Sequence, residues 1–312
     1  MRSRRDGRRI PGIGRCAAVL LCAAVLPGLA GCAADRGGEV SSAAVSATTS
    51  AMTPAAKPTL PDTWDEYTEQ QQTFTDANGV TLSYFIVTPP NYAEDREYPL
   101  VLYWHGIGGD TELSGYRYMR DRLYESGHDC VLLAPIASRA EGQWWVNYQK
   151  AIGASPGTDA IYDLDEAPVT PAFLAACELL AEVVGEYPVD TSRIYAVGVS
   201  MGGYASWEMM CRFPGIVSAA VPICGGCDPT KADVIADIPV WTYHGDCDTT
   251  VNINATRAMV QALQKAGNKN VHFTEYTGVD HGIWYKVFND YVMWDWLFAQ
   301  RRETAITPGM FQ

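Results

Sequence analysis

The chain has 312 residues, 47% of them apolar, with 36 acidic against 23 basic side chains and a formal net charge of −13. Acidity of that size argues against nucleic acid or an anionic lipid surface as a partner, because phosphate binding draws on clustered Lys and Arg. The stretch of roughly 250 residues left after a polar amino-terminal region is ample for one large core, and α/β folds of that size commonly form a single domain.

Met1 to Arg15 carries six arginines, Cys16 to Ala30 is an apolar run broken by Pro27-Gly28, and Leu29-Ala30-Gly31-Cys32 closes it. This resembles a bacterial lipoprotein signal. The run is shorter than the ~20 residues of a membrane-spanning helix, so cleavage is expected, with residues 1–31 as the signal. Cys32 then becomes the first residue and takes the lipid through its thiol, and several acyl chains together anchor stably. A plain secretory signal with an incidental cysteine is the alternative. The expected location is the outer face of the bacterial cell membrane, or the medium, and the only membrane contact is the lipid anchor. Ser3-Arg4-Arg5 is an incomplete twin-arginine motif and leaves the export route open. Loss of residues 1–31 removes six arginines and one aspartate and takes the formal charge to −18. Residues 32–60 are Ala/Ser/Thr-rich with almost no large apolar side chain, which predicts a flexible tether.

Residues 71–75 and 80–88 flank Asp76-Ala77-Asn78-Gly79, where Asn-Gly signals a hairpin. Further strands are predicted over 100–104, 130–134, 194–199, 217–222, 240–243 and 271–276, with helical patterns between most of them. The expected architecture is an eight-stranded, mostly parallel sheet with helices on both faces. A closing helix over about 287–300 carries Val292, Trp294, Trp296 and Leu297.

Four segments of this framework carry chemistry. Strand 100–104 runs into His105-Gly106-Ile107-Gly108-Gly109, a loop that frees backbone N–H groups. Gly198-Val199-Ser200-Met201-Gly202-Gly203 lies between a buried strand and a helix. A G-x-S-x-G turn in that context strains the serine and lifts its Oγ above the sheet edge, at a helix N-terminus that favours developing negative charge. A glycine-rich turn with an idle serine is the bland alternative, and the partners decide between them. Among the histidines 105, 128, 244, 272 and 281, only His281 follows the last strand, where the order serine, acid, histidine puts a general base. His105 and His244 end apolar strands and are expected to brace loops, His272 to be a packing or edge residue. The acid is expected in His244-Gly245-Asp246-Cys247-Asp248, with Asp248 bonding the imidazole and Asp246 the backbone of its own loop. Asp280 reads as a turn residue. Backbone N–H groups of Ile107 and Met201 complete an oxyanion hole, where losing one donor typically costs ~2.7–4 kcal/mol.

From about Tyr98 to Gln300 the chain resembles the bacterial α/β-hydrolases called predicted peptidases, close to phospholipase/carboxylesterases, polyhydroxybutyrate depolymerases and feruloyl esterases. The matching stretches are Tyr98-Pro99-Leu100-Val101-Leu102, Gly142-Gln143-Trp144-Trp145, Tyr187-Pro188-Val189-Asp190-Thr191-Ser192-Arg193-Ile194-Tyr195, Val221-Pro222-Ile223-Cys224-Gly225-Gly226, and His281 with Trp284. The resemblance implies that residues 61–312 form an α/β-hydrolase catalytic domain. It implies hydrolysis of small-molecule or glycan-linked carboxylic esters through an acyl-enzyme on Ser200. A serine peptidase of prolyl-oligopeptidase type and a non-catalytic ligand-binding surface lipoprotein are the alternatives. No cofactor is expected, and no metal pattern is legible. The chain departs from the resemblance at Cys227 and Cys247, and at an insertion over 151–170.

Trp144, Trp145, Tyr148 and Trp284 sit on loops leaving the catalytic edge and are candidates for a cleft that takes a sugar or phenolic ester; loop packing is the equal alternative. Outside the cytoplasm Cys227 and Cys247 are expected to pair and brace the loop holding Asp248, whereas Cys177 and Cys211 lie in helical stretches and read as small apolar residues.

Overall fold

A computed structural model of the chain describes residues 67–90, 92–147 and 162–304. The signal, the tether and Cys32, together with Tyr148 and residues 151–161 of the insertion, lie outside the described residues.

The hairpin forms as the Asn-Gly turn predicts. Strands β1 (Thr68–Thr75) and β2 (Thr81–Thr88) pair antiparallel around Gly79, whose φ of 86° requires glycine, and Asp76 Oδ1 accepts the N–H groups of Asn78 and Val80. Strands β3 (Tyr98–Trp104), β4 (Val131–Ile136), β5 (Val189–Val199), β6 (Ala219–Ile223), β7 (Val240–Gly245) and β8 (Val271–Tyr276) complete an eight-stranded sheet in the order β1-β2-β4-β3-β5-β6-β7-β8. β2 meets β4 antiparallel, and every pairing from β4 across to β8 is parallel.

The central strands read as continuous apolar runs because both faces are covered. Alternation along them divides the core in two. Leu100, Leu102 and Trp104 of β3 and Ile194 and Ala196 of β5 enter one layer. There they meet helices α2 (Pro171–Glu186), α3 (Met201–Arg212) and α4 (Ile253–Ala266) through Phe173, Leu179, Trp207, Met210, Met259 and Leu263. Val101, Tyr103, Tyr195 and Val197 enter the other layer. They meet α1 (Ser114–Glu125), α5 (Trp284–Phe288) and α6 (Tyr291–Ala299) through Met119, Leu123, Phe288, Met293 and Leu297. Caps fix where the helices begin. Thr170 Oγ1 accepts the Phe173 N–H ahead of Pro171, and Asn252 accepts the Asn254 N–H.

The single closing helix expected over 287–300 is instead two. Asp290 leaves helical geometry at ψ 92° and its side chain accepts the Val292 N–H, so it caps a new helix rather than continuing the old one. The segment that follows the undescribed stretch is tied to α3 by buried Glu208. This carboxylate accepts from Tyr162 at 2.7 Å and Arg212 at 2.6 Å, and Arg212 also reaches the Leu164 and Ala167 carbonyls.

Two glycines set how closely α3 lies on the sheet. A Cβ on Gly202 would stand 1.9 Å from the Trp104 carbonyl oxygen, and one on Gly198 would stand 2.0 Å from the Gly202 oxygen. Both obstacles are backbone, so neither can swing aside. Gly202→Ala is therefore expected to lower unfolding stability by about 3 kcal/mol or more, at the upper end for single substitutions. Urea unfolding checks this, and a loss below ~1 kcal/mol would show that the helix packs more loosely than described.

Candidate active site

Ser200 occupies the turn between β5 and α3 at φ 56° and ψ −117°, a conformation that residues with side chains rarely adopt and that costs ~1–3 kcal/mol. Two backbone bonds hold it there: Ser200 N–H to the Ile223 carbonyl at 2.8 Å and Tyr204 N–H to the Ser200 carbonyl at 3.0 Å. Met201 is the first residue of α3, so its N–H has no partner within the helix and points out of its positive end.

Three side chains far apart in sequence meet at this turn. Ser200 Oγ lies 2.9 Å from His281 Nε2, and His281 Nδ1 lies 2.7 Å from Asp248 Oδ2. Asp248 is wholly buried at its side chain and is saturated with donors. Its Oδ1 accepts the N–H groups of Thr250 and Val251 at 2.8 Å each, and its Oδ2 also lies 3.1 Å from His244 Nε2. Burial disfavours the charged carboxylate. The hydrogen bonds from His244, His281 and the Val251 N–H outweigh burial and hold the carboxyl well below its ordinary range. Asp248 is thus ionised throughout the neutral range, while the His281 ring remains partly open to solvent.

Asp280 and Asp246 are engaged elsewhere. Asp280 accepts from the Thr249 and His281 N–H groups, as a turn residue should. Asp246 takes the Gly278 N–H at 2.6 Å, from the neighbouring loop rather than its own. His272 is an exposed strand residue bonded to Asn270, and His128 pairs with Asp295 at 3.0 Å.

The His105–Gly109 loop lies on the serine turn: a Cβ on Gly106 would be 3.4 Å from Ser200 Cβ. His105 ties this loop to the end of β4. Its Nδ1–H donates to the Gly106 carbonyl at 2.7 Å, and its Nε2 accepts the Ala137 N–H at 3.0 Å. One ring nitrogen faces an acceptor and the other a donor, which defines a neutral tautomer. Burial accordingly brings its pKa down to about 4. Ile107, at the loop tip, is 40% exposed.

Trp145, expected on the cleft, is instead fully buried, edge-on to Trp104 at 5.0 Å and to His105 at 5.2 Å; it supports the loop from below. Trp144 is half-buried and lines a surface cleft with Gly79, Gln143 and Thr170, which contains none of the residues around Ser200. Trp284 does stand at the site, half-buried and nearly perpendicular to the His281 ring at 5.7 Å, with Tyr285 and Tyr118 continuing outward. The expected Cys227–Cys247 bridge does not form: no disulfide joins the two cysteines, and buried Cys227 lies beside Cys211. Two features escaped sequence reasoning. Cys224 takes a positive φ of 50° and sets its Sγ 3.5 Å from the His281 carbonyl. The contact of His244 with the acid was also missed, although a histidine four residues before it across a tight turn was a visible signal.

Because His105 is held neutral, the unfolded chain binds the extra proton between about pH 6.5 and pH 4. Stability is then fully present above pH 6.5 and lost as pH falls toward 4, by up to about 3 kcal/mol from this group. His105→Gln should flatten that slope in urea unfolding run across the same pH window; equal slopes in both proteins would contradict the neutral brace.

Comparison with known proteins finds esterases and the same fold. Residues 160–293 match the family described as Phospholipase/Carboxylesterase. A crystal structure described as a thermostable esterase is 30% identical, superposes with a TM-score of 0.62, and is matched over 76% of this chain and 64% of that one. Feruloyl esterase B of Piromyces equi is 25% identical over 184 residues, 55% of this chain and 30% of that protein. A ferulic acid esterase structure, 16% identical with a TM-score of 0.54 over 75% of this chain and 98% of that one, shares the fold. The chain spans less than half the length of the curated relatives it matches.

Proposed function

We propose, for a chain that belongs to the α/β-hydrolases and is related to esterases, that it is a serine hydrolase of carboxylic esters working through an acyl-enzyme intermediate. The observation that carries the reading is the continuous line of hydrogen bonds from Ser200 Oγ through His281 to Asp248, with distances of 2.9 and 2.7 Å.

In this mechanism His281 Nε2 takes the Ser200 proton as Oγ attacks the ester carbonyl. Asp248 keeps the ring in the Nδ1–H tautomer and stabilises the imidazolium that forms. The Met201 N–H at the head of α3 and the Ile107 N–H of the adjoining loop donate to the oxyanion, where fixed dipoles act without reorganising. The tetrahedral adduct collapses, the His281 proton passes to the departing alcohol, and water repeats the sequence to release the acid. The ring of Trp284 beside His281 and the feruloyl esterases among the relatives support a phenolic ester as substrate. The amino-terminal sequence supports export and a lipid on Cys32, with residues 61–312 as the catalytic domain; no helix among the described residues is long and apolar enough to cross a membrane.

Ser200→Ala and His281→Ala should each lower kcat on the best ester by roughly 10⁴-fold or more, as losses from such relays do. The substrate is found with a panel of p-nitrophenyl esters, feruloyl and acetyl sugars, and short peptides. Turnover of esters but not peptides is expected. Comparable activity in the Ser200→Ala protein would overturn the assignment, and cleavage confined to peptides would overturn the ester preference.

A further inference from the structure

His244 is wholly buried directly beneath the acid of the site, and the groups around its ring fix where its protons are. Thr256 Oγ1 has one proton to give, and it stands 2.6 Å from the Gly225 carbonyl oxygen, which can only accept. The Thr256 hydroxyl therefore donates to Gly225. The same Oγ1 lies 2.6 Å from His244 Nδ1, so that contact needs its proton on the ring. On the other side, His244 Nε2 faces the Val251 carbonyl at 3.1 Å and Asp248 Oδ2 at 3.1 Å, both acceptors. Nε2 needs a proton as well. His105 shows the contrast within the same molecule: equally enclosed, it faces one donor and one acceptor and needs only one proton.

We infer that His244 is a buried imidazolium, protonated on both nitrogens at neutral pH, and acts as a positioning residue that neutralises part of the Asp248 charge. A cation in a dry site is costly unless paired, and here its pair is a carboxylate bonded on both oxygens. The remaining charged groups around the ring do not compete for it. Glu275, its register partner on β8, is taken by Arg257 at 2.6 Å, and Asp280 is taken by Thr249. Cys224 stands near the same carboxylate with its thiol toward the His281 carbonyl, and burial pushes that thiol far up, so it contributes no charge.

This inference rests on the reading of Asp248 and His281 as catalytic partners. With a full negative charge beside it, His281 would hold a proton more tightly and be lost as a base over a wider range of acid pH. Sharing Asp248 with a second cation weakens that pull and leaves His281 free as a base at lower pH, while the bonds that orient its ring stay in place.

Two measurements test it. In the wild-type chain labelled with ¹⁵N-histidine, both ring nitrogens of His244, recognised as the ring whose N–H protons exchange slowest, should resonate in the imidazolium range at pH 7 to 8. A deprotonated nitrogen on that ring overturns the proposal, whatever the enzyme's activity. In kinetics, His244→Gln keeps a donor toward Asp248 but cannot carry the charge. Its acidic limb of kcat/KM should move up by about one pH unit, and that of Thr256→Val, which removes the acceptor at Nδ1, in the same direction by less. An unmoved or downward limb in a folded His244→Gln protein contradicts the proposed role. Should wild-type protein prove inert toward esters, the functional reading fails, and the ring-nitrogen spectrum alone still decides whether His244 is charged.

Discussion

The structure depends on one backbone constraint, the strained turn that presents Ser200. A residue with φ 56° and ψ −117° persists only where its surroundings leave it no alternative. Here Gly202 lies on the Trp104 carbonyl, Gly198 on the Gly202 carbonyl, and the Ser200 N–H is bonded to Ile223. Three adjacent strands, β3, β5 and β6, are thereby fixed to the first turn of one helix. The same contacts aim the helix N-terminus, bring the His105–Gly109 loop against the serine, and set the sheet edge from which the other partners descend. Fold and site share these contacts, so a change that relaxes the turn also disperses the site.

Electrostatically the centre is Asp248. Four donors converge on its two oxygens, two backbone N–H groups from its own loop and two imidazoles from different segments. The carboxylate can stay ionised in a dry setting only because those donors are in place before any substrate arrives. The two buried histidines that flank the site take opposite protonation states for a reason visible in their partners. His105 holds a loop together as a neutral connector between a carbonyl and an N–H. His244, surrounded by acceptors alone, balances a charge.

Most of this was legible in the sequence where short-range chemistry decides it. The Asn78-Gly79 hairpin, the apolar strands and the order of loop, serine, acid and histidine are local signals, and each element formed within a few residues of its expected place. What failed depends on partners distant in sequence. Trp145 reads as a loop aromatic, yet the Trp104 and His105 rings enclose it. A Cys227–Cys247 pair requires the two loops to approach at that point, and burial beside Cys211 takes Cys227 elsewhere. The closing helix looked continuous by periodicity, whereas Asp290 caps its second half through a bond to Val292. The His244 contact with Asp248 required knowing that the loop after β7 folds back over its own strand.

The central claim is that Ser200 is an activated nucleophile, and covalent capture tests it most directly. The full chain is treated with a fluorophosphonate at neutral pH, digested, and the modified peptide sequenced by mass spectrometry. The account predicts one stoichiometric adduct on Ser200, formed in the wild-type protein and lost in His281→Ala. An unmodified Ser200 after prolonged exposure, or an adduct that forms equally fast without His281, would contradict it.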